Sequence, residues 1–226
     1  MFEVLSGYGD ALAQAGRGEE SQKSFDEAMS LVRELKNDAL VAQILNYQGD
    51  SFFYRGNLKS ARSLYEQAME VASHTTDRGK VLISKFNLAK AAVKEGRSQA
   101  AIGALKGLAQ EADTLGLKYL SAECSIYLAE ALVNTRDYSR ARQELDRAVA
   151  KTERLGLPTL SAKGHYLLAT ELRLTGRGAE AAGHYREALR LLEDIRKEAG
   201  ADNVLQRADL NPIYTDSTRW SQTNRG

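Results

Sequence analysis

Proline is nearly absent from the 226 residues, occurring only at Pro158 and Pro212. Each proline removes a backbone donor and clashes with the preceding turn. Such scarcity leaves long stretches free to be helical, and Ala, Leu, Glu, Arg and Lys fill them. Cys124 is the single cysteine, which excludes an internal disulfide and any cysteine-based metal set. No apolar run approaches the roughly 20 residues that cross a bilayer. Met1 to Val4 lack the basic start and apolar stretch of a secretory signal, so the expected location is cytoplasmic and no membrane partner is expected. An excess of one charge is missing too: 31 basic and 30 acidic residues give a net charge of +1, with both signs interspersed. A nucleic-acid binder gathers basic residues on one face because phosphate contacts dominate its affinity. Nucleic acid is therefore not the expected partner.

What is present is a repeat. From the glycine of the turn Gly16-Arg17-Gly18, steps of 40 residues reach Gly56, Gly96, Arg136 and Gly176. Seven residues before each stand Gly9, Gly49, Ala89, Ala129 and Ala169; five after, Ser21, Ala61, Ala101, Ala141 and Ala181; twelve after, Ala28, Ala68, Leu108, Ala148 and Ala188. Small residues fill 14 of these 15 places. Two bulky columns alternate with them: Leu12, Phe52, Ala92, Leu132 and Leu172, then Phe25, Tyr65, Leu105, Leu145 and Tyr185. Large opposite small in a constant order is what two closely crossing helices require.

Each unit reads as two amphipathic helices, for the second copy about 39–55 and 58–73. Gly116 and Gly156 each sit inside a Leu-Gly-Leu and suit a left-handed helix cap. Pro158 is placed to open the next helix. These columns resemble the tetratricopeptide repeat over roughly residues 2–198. The sequence departs from the family pattern in its 40-residue step, against about 34, in lacking the proline that often ends a repeat, and at Leu108. The longer unit implies helices lengthened by about a turn, as in the extended-repeat branch found in large bacterial regulators and cell-polarity adaptors. The resemblance implies an all-α, right-handed solenoid of five helix–turn–helix repeats, at about 1–38, 39–78, 79–118, 119–158 and 159–198. A C-terminal capping helix and tail would follow at 199–226.

Asn211-Pro212 looks like a helix start, and a short helix is expected to lay Ile213, Tyr214 and Trp220 over the last repeat. Beyond Ser221 a frayed tail competes with that expectation. At the other end Met1 and Phe2 fall inside the first helix with no cap before them. The expectation is a chain cut from a longer one, or self-association through the open first repeat. The stretches 196–200 and 219–221 also resemble the end of repeat arrays in large bacterial signalling proteins such as serine/threonine kinases.

Catalytic chemistry has little support. His74, His165 and His184 form no pair at helical spacing, and no Cys–His set offers metal ligation. The expectation is no catalytic residue, no metal and no cofactor. Cys124 on a first helix reads as a small buried thiol. The Gly-Arg-Gly stretches at 16–18 and 176–178 lack the Lys-Ser/Thr of a phosphate loop and read as turns.

In this architecture the first helices offer their non-core face to a partner. Counting from the small column gives Asn46, Tyr47, Asp50, Tyr54, Phe86, Asn87, Lys90, Lys94, Tyr127, Glu130, Asn134, Tyr166 and Arg173 as partner-binding residues. Asparagine amides can bond an extended backbone, tyrosine adds apolar area with a polar tip, and lysine supplies a point charge. The mixture predicts a protein or peptide partner held in a concave groove. Chaperone-binding members of the family grip a carboxylate with Lys and Asn, but those places hold Asp10, Asn46, Asp50 and Phe86 here. The alternative expectation is a regulatory or substrate-docking region of a larger bacterial signalling enzyme or transcriptional regulator.

Overall fold

The computed structural model describes residues 1–198, 201 and 203–222. Among them the regular structure is helical: α1 Phe2–Gln14, α2 Gly18–Glu34, α3 Asp38–Tyr54, α4 Leu58–Ser73, α5 Arg78–Lys94, α6 Ser98–Thr114, α7 Lys118–Asn134, α8 Tyr138–Arg154, α9 Pro158–Leu174, α10 Gly178–Arg196, a 3-10 turn at Val204–Gln206, and α11 Asn211–Gln222. The first ten helices form five helix–turn–helix pairs, as the columns predict. Helices of about 17 residues joined by three- or four-residue turns account for the 40-residue step.

The turns repeat one hydrogen-bond pattern. Gly16, Gly56, Gly96, Arg136 and Gly176 all have positive φ, from 62° at Arg136 to 82° at Gly96 and Gly176. The amide after each reaches back to the bulky first-helix column, as in Arg17 N to Leu12 O at 2.8 Å and Asp137 N to Leu132 O at 2.9 Å. This doubly bonded left-handed cap satisfies carbonyls that a helix end leaves orphaned. Gly116 and Gly156 make the same cap in the Leu-Gly-Leu turns. Side chains close several N-termini: Asn37, Asn57 and Asp137 accept from Leu40, Ser60 and Arg140 amides. Pro158 opens α9. Met1 precedes α1 without a side-chain cap.

By contacts the described residues fall into two compact units, one built on Met1–Ala91 with the 201–209 segment, the other on 92–198 with 210–222. In the first, Phe25 packs with Ala28, Met29, Val32, Ile44, Leu45 and Ala68. The small column explains the close crossing. A Cβ on Gly49 would lie 2.4 Å from a Tyr65 ring carbon, and one on Gly9 2.6 Å from Phe25. In the second, Ala169, Leu172, Ala181 and Tyr185 form a core against which Tyr166 and Trp220 pack.

Helix α11 lies against α10, with Ile213 buried, as expected of a capping helix. The C-terminal stretch nevertheless divides. Only the part from Leu210 packs on the last pair, whereas residues 203–209 belong to the first unit. The end of the tail, 223–226, lies outside the described residues.

Candidate interaction surface

The first helices of the first unit bring Asp10 (α1), Asp50 (α3) and Lys90 (α5) together. Lys90 Nζ sits 2.5 Å from Asp50 Oδ1, and Tyr65 OH donates to the same oxygen at 2.7 Å. The ammonium is 4.8 Å from the Phe53 ring centroid, 5.3 Å from Tyr65 and 5.5 Å from Phe86. Ring faces carry negative potential, so this cage suits a cation that is only 3% exposed. Asp10 accepts from Gln14 Nε2 at 2.8 Å. Burial, then the neighbouring Asp50 carboxylate, pushes the Asp10 pKa up to about 6. Beside this group Asn46 Nδ2 donates to Ala42 O and Ser84 Oγ, and Asn87 Nδ2 donates to Asn46 Oδ1. Tyr47 stacks on Phe25 and is bonded by Gln43.

Four of the predicted surface residues in this unit, Asn46, Phe86, Asn87 and Lys90, are therefore buried at 1–3% exposure and not displayed. Tyr47, Asp50 and Tyr54 are half-buried. The reason lies in the 40-residue register. Equivalent or adjacent positions on successive first helices meet one another, so Asn46–Asn87 and Asp50–Lys90 are contacts between helices before they are contacts to a partner.

The ends of α1 and α3 carry a feature that sequence reasoning missed. The 203–209 segment lies across them, with Val204, Leu205, Arg207 and Asp209 all buried. The Arg207 guanidinium pairs with Asp209 through two hydrogen bonds, donates to Gln14 O at 3.0 Å, and lies 3.7 Å from the Tyr54 ring centroid. Ala208 N donates to Tyr54 O at 2.7 Å. The approach is close enough to need the turn glycines: a Cβ on Gly16 would fall 2.4 Å from Asn203 O, and one on Gly56 3.2 Å from Ala208 Cβ. A cleft of about 220 Å³ remains beside the segment, with Ser51, Arg55 and Gln206 among its walls. No local pattern announces Arg207, because its partner Gln14 is 193 residues away.

In the second unit Lys94 Nζ pairs with Glu130 at 2.5 Å. The Tyr127 ring lies between two ammonium groups, Lys94 at 5.8 Å and Lys163 at 5.5 Å, and is itself buried. Asn134 is exposed and donates to Ser98 Oγ. Tyr166 OH donates to Asp216, and burial together with that carboxylate raises the phenol above its ordinary value. Arg173 is exposed, donates to Tyr185 OH at 3.3 Å and lies 5.1 Å from the Trp220 ring. The same unit brings His165 and His184, nineteen residues apart, to an Nδ1–Nδ1 distance of 3.0 Å, with Glu153 3.1 Å from His165 Nε2. Periodicity within one helix could not show that pair, which forms across the α9–α10 crossing. Cys124 is buried, and burial pushes its thiol up to about 12, away from reactivity.

Among the described residues no three His, Cys, Asp or Glu side chains are grouped to hold a metal ion, and no helix is long and apolar enough to cross a membrane. Five helix pairs in one register, with polar and aromatic side chains bridging successive first helices, define a helical-repeat scaffold. Tetratricopeptide repeat profiles match residues 1–74, 40–106, 86–154 and 128–194, so nearly the whole chain is covered, and it belongs to the tetratricopeptide repeat family. No curated protein matches the sequence.

Solved structures with a similar fold include a Rap protein complexed with Competence and Sporulation Factor, at 13% identity and a TM-score of 0.65 over 98% of this chain and 72% of that one. A signal transduction ATPase with a tetratricopeptide repeat sensor from Pyrococcus horikoshii aligns at 14% identity and a TM-score of 0.63, over 96% of this chain and 31% of that one. A kinesin-light-chain-like repeat protein from Podospora anserina aligns at 14% identity and a TM-score of 0.58, over 87% and 97%. At these identities the likeness is one of fold.

Proposed function

We propose that this chain is a protein-interaction scaffold that holds a peptide or helix of a partner on its first helices and carries no catalysis of its own. The observation behind this reading is that the first unit already accommodates a short 3-10 and turn segment of polypeptide there. The contacts that hold residues 203–209 include a main-chain bond to Tyr54, a guanidinium bond to Gln14 O and a ring contact. Backbone capture together with an anchored side chain is a recurring way of recognising a peptide. The residues proposed for a partner are the half-buried and exposed members of the predicted set: Tyr47, Asp50, Tyr54, Lys94, Glu130, Asn134, Tyr166 and Arg173. Asn46, Phe86, Asn87, Lys90 and Tyr127 support them from beneath.

A synthetic peptide spanning residues 201–210 tests the reading in trans by fluorescence anisotropy. Saturable binding to Arg207→Ala/Asp209→Ala, whose own segment is loosened, and weaker binding to wild type is the expected result. Binding to neither protein would defeat it.

Two further readings have an observation each. The repeat-sensor ATPase, of which this chain matches under a third, supports a place within a larger signalling protein. Val4 and Tyr8 are exposed at 72% and 54% along one stripe of α1, which supports self-association. In that case sedimentation shows a concentration-dependent dimer that Val4→Asp/Tyr8→Asp abolishes.

A further inference from the structure

The second unit contains a cleft of about 490 Å³ between the N-terminal half of α10 and the end of α11. Its floor is small: Gly178 and Ala179 bring α10 backbone to the surface, and a Cβ on Gly178 would meet nothing within 4 Å. One wall is aromatic. Trp220 stacks on Tyr185 with ring centroids 6.3 Å apart and planes 19° apart. The rim is cationic. Arg173 and Arg186 border the cleft, and among the described residues each bonds a neutral oxygen, Tyr185 OH and Ala182 O respectively.

The neighbouring arginines differ. Arg177, Arg190 and Arg196 are each paired with a carboxylate on α10. Arg173 and Arg186 have no carboxylate partner among the described residues. Two guanidinium groups without counter-ions beside a half-buried indole make a surface whose charge is complemented by an acidic ligand. The indole gives an apolar side chain a flat seat, and the glycine–alanine floor lets a peptide backbone come close.

We infer that this cleft is a second docking site, for an acidic peptide segment that places carboxylates on Arg173 and Arg186 and an apolar side chain against Trp220. Arg173 is shared with the surface proposed above, but the cleft lies wholly within α9, α10 and α11 and includes no residue of the Arg207 seat. It stands or falls independently of binding by the 201–210 peptide.

Trp220 is the only tryptophan in the chain, so its emission reports on this cleft alone. The probe is a short, end-blocked peptide of alternating glutamate and leucine, titrated at low salt and compared with its glutamine–leucine counterpart. The expected result is a saturable change in Trp220 emission with the glutamate peptide. Affinity should be about tenfold weaker for the glutamine peptide and for Arg173→Gln/Arg186→Gln, the scale set by losing two exposed ion pairs. Both arginines are exposed and among the described residues bond neutral partners, so the variant keeps its fold, which circular dichroism checks. No saturable change, an equal response to the glutamine peptide, or undiminished binding by the folded variant overturns the inference. So does an emission change that sedimentation traces to dissociation of a dimer of this chain.

Discussion

The glycines of the small column and the rings of the bulky column are paired residue by residue. Gly49 faces Tyr65 so closely that a single added methyl would sit 2.4 Å from a ring carbon whose phenol is also anchored on Asp50. Alanine would gain about 1 kcal/mol of helix propensity. Overpacking costs about 1–3 kcal/mol, and this ring is tied at its far end, so the cost wins. Gly49→Ala is expected to lower stability by about 1–2 kcal/mol in urea denaturation, whereas Gly103→Ala, with open space at its Cβ, raises it. If both substitutions stabilise, the close crossing is not what selects glycine at position 49.

At the scale of the helices, α1, α3 and α5 meet through a charge cluster that is not neutral in sign. Two carboxylates, Asp10 and Asp50, face one ammonium, Lys90, and Asp50 takes its direct bond. Asp10, raised to about 6, is protonated more readily in the folded state than in the unfolded chain, where its ordinary value is 3.8. The folded state therefore binds more protons between these values, and stability falls as pH rises from about 4 to about 6. Asp10→Asn should flatten that slope and raise stability at pH 7 by about 1–2 kcal/mol, less than the full shift implies because Asp10 retains some solvent contact. Thermal unfolding of both proteins across pH 4–7 measures it. A wild-type slope unchanged in the variant would show that Asp10 does not carry it.

At the scale of the molecule, repeat arrays are stabilised by neighbour-to-neighbour contacts, so a lesion need not spread evenly. Lys90 belongs to the first unit and Trp220 to the second. Lys90→Ala leaves Asp50 without its cation and empties the aromatic cage. Breaking a buried pair in this way costs about 3–5 kcal/mol. Helix content measured by circular dichroism should then be lost in a broadened or two-step transition, and its first step should precede the Trp220 emission change. Coincident transitions in the variant would mean that the described residues unfold as one cooperative body.

The sequence by itself determined the helices, their pairing and their turns. Those depend on contacts within one turn or within one 40-residue copy, such as Gly49 with Tyr65 or Arg136 in its left-handed cap, and such contacts leave a periodic trace. It also placed Ile213, Tyr214 and Trp220 on a closing helix. What it could not settle was which first-helix side chains remain free. Polar residues at solvent-like positions found partners on the next first helix, Asn46 with Asn87 and Asp50 with Lys90, about 40 residues on. Burial is a property of both helices at once, and neither helix's own period records it. The seat of Arg207, the pairing of His165 with His184 and the placement of Arg173 and Arg186 around the cleft beside Trp220 were likewise decided by tertiary structure alone. Each depends on where distant segments come to rest, and the chemistry of a single side chain does not carry that information.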